Sequence, residues 1–461
     1  MKNDYASVMS RKGEIMKKSV GIDYSTYESG SIAFDYELMM SETGYTLDDM
    51  RRIQGAVHVG ATPILELRNI TALARACCPK GRGARIFIKD EAANPSGSFK
   101  ARRAAVSVYH AKQHGYKGVI SATSGNYGAA VASQAAMLGL KCIVVQECYD
   151  SKGLGQPEII EKARKCEALG AEVVQLSVGP ELFYKFLLLL EETGYFNASL
   201  YTPFSIAGIE TLGWEIAEQF RQKIGRDPDM VVATNAGGGN VTGTARGLQK
   251  AGSKTPVVGA SVSLAGLHMA SDGQFNKKSF TTGHTGFGIP FSSWPDRSDV
   301  PRSAARPLRY MDRYVTVSQG AVFYMTEALA SLEGLEKGPA GNTSLAAAFA
   351  LAQEMPEDAT ILVQETEYTG AGKHIQPQLS FARSNGIEVK RGDPKDEVAG
   401  KNLILPARPS LIKAAEVDMN HIRASLIKTA VKTYEKAPTD ADIAFLCAET
   451  RQTEAFVRGC L

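Results

Sequence analysis

The sequence predicts an α/β protein whose parallel β-sheets are covered by helices on both faces. Short apolar segments typical of buried strands recur along the chain, and segments suited to helices lie between them. The chain has 461 residues, of which 44% are hydrophobic and 22% are charged. This is ordinary globular composition, and at roughly 150 residues per domain the length suffices for two or three domains.

Strands and helices alternate from Thr62 onward. Strands are predicted at 85–89, 118–122, 142–145, 172–176, 230–234, 257–260 and 361–363. Helices are predicted at about 98–114, 129–138, 156–168 and 241–250, and Thr46 is typical of a residue that caps the start of an earlier helix. The proline-rich stretch at about 290–307 is interpreted as an exposed loop, and 395–409 as a linker to a helical tail.

Charge and cysteine content argue against several classes of function. The chain has 52 Lys and Arg against 49 Asp and Glu, and the net charge of +3 gives no support for a nucleic-acid-binding surface. Seven scattered cysteines without a C-x-x-C pair favour a reducing cytoplasm over a disulfide framework or a zinc ribbon. The amino terminus is polar and the charge-free stretch 118–140 is rich in Gly, Ser and Thr, so we expect a cytoplasmic protein without a signal peptide or membrane span.

The first of three glycine-containing loops, 94–100, carries a candidate catalytic lysine. Each of these loops follows an apolar strand or opens a helix, where parallel α/β proteins bind their ligands. Lys100 is predicted at a helix start, where the helix dipole favours the neutral amine that a Schiff-base nucleophile needs. Taken alone, the residue fits a solvated surface lysine better, because most lysines are solvated.

The other two loops are candidate anion sites. Residues 121–128 offer backbone N–H groups and hydroxyls at a helix start, which suits a carboxylate or a phenolate-like oxygen, with a plain helix cap as the alternative. Residues 235–243 contain three consecutive glycines whose backbone can surround a phosphate, with a flexible turn as the alternative. No G-K-[ST] follows these glycines, so the loop lacks the signature of nucleoside triphosphate hydrolysis.

Together the three loops describe a pyridoxal 5′-phosphate site. With Thr-Gly-Ala-Gly-Lys at 369–373, they resemble the threonine synthase and tryptophan synthase β superfamily, and the four motifs occur in the expected order. The resemblance implies a fold type II PLP-dependent enzyme, with two parallel-sheet α/β domains and the cofactor in the cleft between them. It further implies an N-terminal extension (1–60), a large PLP-binding domain (61–100 and 205–395), a small domain (101–204) and a C-terminal helical tail (396–461).

The resemblance also implies a role for each motif residue. Lys100 would form the internal aldimine with the cofactor, Asn126 would hydrogen-bond its phenolic oxygen, and Thr369 would face its ring nitrogen. The cofactor phosphate would be held by four residues of the glycine loop: Gly237, Gly238, Gly239 and Asn240. The substrate carboxylate site would be lined by three residues of the second loop: Ser124, Gly125 and Tyr127.

A narrower resemblance rests on segments outside these motifs. Ala101 stands where an Asp usually follows the imine lysine of threonine synthases. Segments 10–16, 27–30, 44–47 and 201–204 are similar to the β-subunit family of 2-amino-4-oxopentanoate (2-amino-4-ketopentanoate) thiolases. This resemblance implies that the amino-acid substrate is cleaved with coenzyme A to acetyl-CoA and alanine in ornithine degradation. It also implies a small α subunit as partner and homodimerising β subunits.

Two other functions stay open at this point. One is a threonine-synthase-like or ammonia-lyase-type eliminase on the same scaffold, and the other is a cofactor-binding protein without turnover. Arg102 and Arg103 fit either a coenzyme A phosphate site or solvated helix charges, and the second interpretation is favoured. His110 and His114 lie four residues apart without an evident third ligand, so no metal site is predicted.

Overall fold

The fold is built on two main sheets with helices packed against them, as seen in a computed structural model. The structure describes residues 3–123, 125–149, 153–155, 157–177, 181–263, 299–368, 375–398, 400–434 and 437–461. Within these ranges the strands form a seven-stranded sheet in the order β1-β2-β10-β7-β8-β9-β13, a four-stranded sheet in the order β5-β4-β3-β6 and the pair β11-β12, with bounds as follows. The strands are β1 Ile64–Glu66, β2 Arg85–Asp90, β3 Gly118–Thr123, β4 Lys141–Tyr149, β5 Glu172–Ser177, β6 Phe196–Asn197, β7 Met230–Thr234, β8 Val257–Val262, β9 Arg313–Val317, β10 Thr360–Glu365, β11 Glu388–Gly392, β12 Asn402–Pro406 and β13 Ala415–Glu416.

The helices lie between these strands and at both ends of the described chain. They are α1 Tyr5–Ser10, α2 Lys12–Val20, α3 Tyr36–Ser41, α4 Leu47–Gly55, α5 Arg68–Ala76, α6 Lys100–Gln113, α7 Asn126–Leu138, α8 Pro157–Ala168, α9 Glu181–Thr193, α10 Pro203–Ile224, α11 Gly239–Lys250, α12 Pro307–Tyr310, α13 Gln319–Glu333, α14 Asn342–Ala352, α15 Ile375–Ser384, α16 Met419–Tyr434, α17 Asp440–Thr450 and α18 Glu454–Cys460. No helix of the described ranges is both long and apolar enough to cross a membrane.

The seven-stranded sheet is parallel in its centre and antiparallel at its edges. Strands β2, β10, β7, β8 and β9 pair in parallel, whereas β1 and β13 pair antiparallel to their neighbours. In β10, Ile361 and Val363 belong to the core on one face of the sheet and Leu362 to the core on the other. A strand that is buried on both faces reads as a continuous apolar run, which is why the sequence predicts it.

The four-stranded sheet is parallel throughout and is likewise covered on both faces. Val119 and Val144 share a core with the alanines of α7, whereas Ile120 and Val145 pack with Phe186 of α9. Successive strand residues point to opposite faces, so one apolar segment serves both helix layers. The two sheets confirm the predicted α/β class.

All seven predicted strands are present, as β2, β3, β4, β5, β7, β8 and β10. The predicted helix start at Thr46 is also confirmed, since the Thr46 hydroxyl and the Asp49 carboxylate form a capping box at α4. The interpretation of 395–409 as a linker is wrong. Its apolar centre forms β12, which pairs with β11 and buries Leu403 beside Phe323.

The interpretation of 290–307 as an exposed loop is also wrong for its described part, 299–307, while 290–298 lie outside the described residues. Val300 and Ala304 are buried. The Arg306 side chain donates through Nε to Glu449 of α17 at 2.8 Å and through Nη1 to Glu37 of α3 at 2.6 Å. This stretch therefore connects α3, near the start of the chain, to α17, near its end, because both helices supply a carboxylate to Arg306.

Candidate active site

A cavity of about 150 Å³ lies between the carboxyl ends of the two sheets. It is lined by the last residues of β3 and β7, Thr123 and Thr234, and by Thr366 just after β10. Helices α6, α7 and α11 begin at residues that line the same cavity. Three helix N-termini thus meet in one place, and the positive ends of their dipoles make the cavity suitable for anions.

The cavity brings together every predicted site residue that the structure describes. These residues are Lys100, Gly125, Asn126, Tyr127, Gly237, Gly238, Gly239 and Asn240. The two remaining candidates, Ser124 and Thr369, lie outside the described residues, as does the whole motif 369–373. The placement is geometric, and the chemical role of each residue stays a prediction.

The loop before Lys100 is fixed by hydrogen bonds to the chain that follows β10. The Phe99 N–H donates to the Thr366 carbonyl at 3.1 Å, and the Tyr368 N–H donates to the Gly97 carbonyl at 2.8 Å. Gly97 has a φ of +72°, and a Cβ there would lie 2.6 Å from the Tyr368 carbonyl oxygen. Glycine is therefore required at this position, because a side chain would break the contact that holds the lysine loop.

Lys100 is the first residue of α6, as predicted. Burial lowers the pKa of its amine to about 8, and the nearby cations Lys162 and Arg103 add to this while Glu367 opposes it. The sequence prediction attributed the neutral amine to the helix dipole, whereas in the structure burial is the main cause. A pKa near 8 gives Lys100 a substantial neutral fraction in mildly alkaline solution.

The glycine loop forms a cradle at the start of α11. Gly238 has a φ of +81° and caps the helix, and a Cβ there would lie 2.6 Å from Cδ of Pro307. A Cβ at Gly237 would overlap the Tyr201 hydroxyl, and one at Gly239 would overlap the Arg103 guanidinium. The loop thus excludes side chains and presents backbone at a helix N-terminus, which fits a phosphate.

Several buried polar atoms of the cavity have no hydrogen-bond partner among the described residues. They are Nδ2 of Asn126, both side-chain polar atoms of Asn235 and Oδ1 of Asn240. Buried polar groups are nearly always satisfied, so this set indicates a polar ligand. The chain's residues fit pyridoxal 5′-phosphate, because a cradle, an unpaired amide and a buried lysine surround one cavity.

The arginines after Lys100 correct the interpretation as solvated charges. Arg102 is fully buried, and its guanidinium donates to Glu91 at 2.7 Å and to Glu215 at 2.8 Å. Arg103 is 3% exposed and lines the cavity. The sequence signal that could have placed them is the small-residue composition of α6, since its buried alanines show a helix packed on several sides.

A second lysine in the cavity, Lys162 of α8, was missed by the sequence analysis. Its Nζ forms an ion pair with Glu158 at 2.7 Å, and a Cβ on Gly125 would lie 2.5 Å from its Cδ. Burial lowers the pKa of Lys162, but Glu158 and Glu367 outweigh burial and the net shift is upward. The cavity therefore contains one lysine biased towards the neutral amine and one held as a cation.

His110 of α6 and His114, which follows the last residue of α6, lie away from the cavity. The His110 ring stacks on Phe204 with ring centroids 3.8 Å apart and contacts the ring of His114. Neither residue lines the cavity. Among the described residues, no group of three or more His, Cys, Asp or Glu side chains is placed to hold a metal ion.

Comparisons with known proteins agree with this geometry. The family model described as pyridoxal-phosphate dependent enzyme matches residues 56–367. The 2-amino-4-ketopentanoate thiolase beta subunit of Acetoanaerobium sticklandii is 74% identical over 99% of this chain and 98% of its own length. A protein of the same name from an unknown prokaryotic organism is 64% identical over 99% of this chain and 97% of its own length. A crystal structure of threonine deaminase from T.th. is 27% identical with a TM-score of 0.53, covering 70% of this chain and 98% of that one.

Proposed function

The chain belongs to the pyridoxal-phosphate-dependent enzymes, and we propose that it is the catalytic β subunit of a 2-amino-4-ketopentanoate thiolase. The observation that carries the substrate assignment is the 74% identity over nearly the full length of a protein of that name. In the proposed reaction the C3–C4 bond of the substrate breaks and the sulfur of coenzyme A bonds to C4. The thiol hydrogen ends on C3, which balances acetyl-CoA and alanine as products.

We assign the holding of the cofactor to residues at the starts of α7 and α11 and to Thr369. Gly237, Gly238, Gly239 and Asn240 would bind its phosphate, and the unpaired amide of Asn126 would bind its phenolic oxygen. Thr369 would face its ring nitrogen. When bound, pyridoxal 5′-phosphate supplies an electron-withdrawing ring that stabilises negative charge on the substrate carbons.

The proton transfers are assigned to Lys100. Its pKa of about 8 leaves part of the amine neutral, so the nitrogen can accept a proton from substrate carbon and return it later. An amine with the ordinary lysine pKa would be almost entirely protonated at neutral pH and could not act as this base. Burial of Lys100 thus makes a base out of a residue that is normally a cation.

The substrate carboxylate is assigned to the loop at the start of α7. Ser124, Gly125 and Tyr127 are the candidates there, and Lys162 adds a positive charge beside Gly125. Its pairing with Glu158 keeps Lys162 protonated, so its charge persists while the charge of Lys100 changes. A fixed cation at this end would orient the substrate with its carboxylate away from the glycine loop.

The remaining parts of the proposal concern organisation. The relatives are named beta subunits, which supports a separate α subunit as partner. We further propose that the β subunits form homodimers and that the protein is located in the cytoplasm. Coenzyme A is the proposed second substrate. We also propose that the seven-stranded sheet, apart from its edge strand β13, belongs to the large domain (61–100 and 205–395) and that the four-stranded sheet belongs to the small domain (101–204).

The decisive experiment supplies the purified chain with pyridoxal phosphate, coenzyme A and 2-amino-4-ketopentanoate, with and without the α subunit of the Acetoanaerobium sticklandii enzyme. We expect acetyl-CoA and alanine in equal amounts, and none with Lys100→Ala. The eliminase alternative is tested with O-phosphohomoserine and 2,3-diaminopropionate. Release of phosphate or ammonia without a requirement for coenzyme A would overturn the thiolase assignment and leave the cofactor site intact.

A further inference from the structure

Arg103 is a buried cation without a carboxylate partner among the described residues. Its Nε donates to Oγ of Ser205 at 3.0 Å and its Nη2 donates to the carbonyl of Leu200. Within the same ranges, Nη1 forms no hydrogen bond. The acceptors that the described ranges offer to this guanidinium are therefore neutral.

Two other buried arginines of the protein have carboxylate partners. Arg102, the preceding residue, is paired with Glu91 and Glu215. Arg306 is paired with Glu449 and Glu37. Removing a guanidinium from water is costly unless an anion replaces the water, and at those two places the fold supplies that anion. At Arg103 the described chain supplies none, which leaves this guanidinium available to an anionic ligand.

The position of the Arg103 guanidinium indicates which part of a ligand it would contact. A Cβ built on Gly239 would overlap Nη2 of Arg103 and lie 3.1 Å from its Cζ. The guanidinium thus lies against the first residue of α11, beside the glycine cradle, with the ring of Tyr127 centred 5.7 Å from Cζ. Burial lowers the pKa of Arg103, but an arginine stays protonated in any case, so the positive charge is permanent.

We propose that Arg103 is the counter-ion of the cofactor phosphate, which it holds as a dianion together with the glycine cradle. This inference rests on the phosphate site assigned above. A planar guanidinium suits phosphate oxygens, and Nη1 is a donor left for one of them. The arginine therefore selects the phosphorylated cofactor over free pyridoxal, beyond what the backbone of the loop provides.

The test measures cofactor binding to the apoprotein rather than activity. Dissociation constants for pyridoxal phosphate and for pyridoxal are determined by absorbance titration for the wild type, Arg103→Gln, Arg103→Lys and the exposed control Lys112→Gln on the same helix. We expect Arg103→Gln to weaken pyridoxal phosphate at least 10-fold and pyridoxal less than about 2-fold, in line with the strength of charged hydrogen bonds. Arg103→Lys should recover part of the loss, and Lys112→Gln should change neither constant.

A spectroscopic measurement keeps the proposal testable if Arg103→Gln folds poorly. In wild-type protein, the ³¹P resonance of the bound cofactor should not shift between about pH 6 and pH 9, because the paired phosphate stays a dianion. In Arg103→Lys, the protonation of the cofactor phosphate should move into this pH range and shift the resonance. A wild-type phosphate that titrates like free pyridoxal phosphate overturns the proposal. An equal loss of affinity for pyridoxal phosphate and for pyridoxal in Arg103→Gln also overturns it. The same holds if Arg103→Gln binds pyridoxal phosphate with normal affinity and loses affinity only for alanine or coenzyme A.

Gly238→Asp, measured in the same titration, separates the assignment of the phosphate site from the role of Arg103. If Gly238→Asp weakens pyridoxal phosphate and Arg103→Gln does not, the cradle stands and the role of Arg103 is wrong. If neither variant changes the affinity, the phosphate binds elsewhere and both assignments fall.

Discussion

Gly238→Asp is the sharpest perturbation of the proposed phosphate site. The residue has a left-handed φ of +81°, and a Cβ would lie 2.6 Å from Cδ of Pro307. Any side chain here therefore costs about 1–2 kcal/mol of backbone strain, with the contact to Pro307 added to it. The aspartate adds a negative charge beside a site proposed for a phosphate.

The charge term can be worked from Coulomb's law. The dianionic phosphate and its arginine together count as one net negative charge. Two unit charges about 4 Å apart repel by about 1 kcal/mol in water and about 4 kcal/mol at the effective dielectric of a site near a protein surface. Because about 1.4 kcal/mol is tenfold in an equilibrium constant, the dissociation constant of pyridoxal phosphate should rise by roughly 5-fold to roughly 1000-fold. The partly enclosed cavity favours the upper part of this range.

Equilibrium dialysis of the apoproteins measures this change, with two control variants. Gly238→Ala carries the strain and the contact without the charge, so its difference from Gly238→Asp isolates the electrostatic part. Gly252→Asp lies just beyond the other end of α11 at a φ of +71° with open space around its Cβ, so it matches the strain away from the cavity. Equal affinities for Gly238→Asp and Gly252→Asp, with both proteins folded by circular dichroism, would refute the phosphate assignment.

Three further predictions concern the lysines and the buried ion network. Borohydride should trap the cofactor on a single peptide that contains Lys100, and a label on another lysine would refute the assignment. In the apoprotein, the rate of amine labelling at Lys100 should be half-maximal near pH 8. Lys162→Met should raise the pH of this midpoint because it removes a neighbouring cation, and an unchanged midpoint would show that Lys162 does not affect the pKa of Lys100. Glu91→Gln should lower the free energy of unfolding by about 3–5 kcal/mol in urea denaturation, because it leaves Arg102 buried with one anion fewer, whereas Glu218→Gln, at a half-exposed ion pair, should cost less than about 1 kcal/mol.

Much of the fold and of the candidate site follows from local sequence. A strand such as β10, buried on both faces, must be apolar at consecutive positions, so it is visible without any knowledge of its neighbours. The glycine loop is equally local, since a left-handed residue at a helix start requires glycine at Gly238 wherever the helix lies. These constraints act over a few residues, which is why the loops and the start of α6 at Lys100 were predictable.

The burial of charged residues was decided by the tertiary structure alone. Arg102 and its partner Glu215 are 113 residues apart, and Arg103 and Leu200 are 97 residues apart. Two arginines after Lys100 are compatible with a solvated helix face and with a buried network, because the sequence shows the charge but not what replaces its water. The sequence by itself determined which segments form strands, helix starts and glycine turns, since those depend on near neighbours; the fold decided which charges line the cavity, since the solvation of a charge depends on groups that lie far away along the chain.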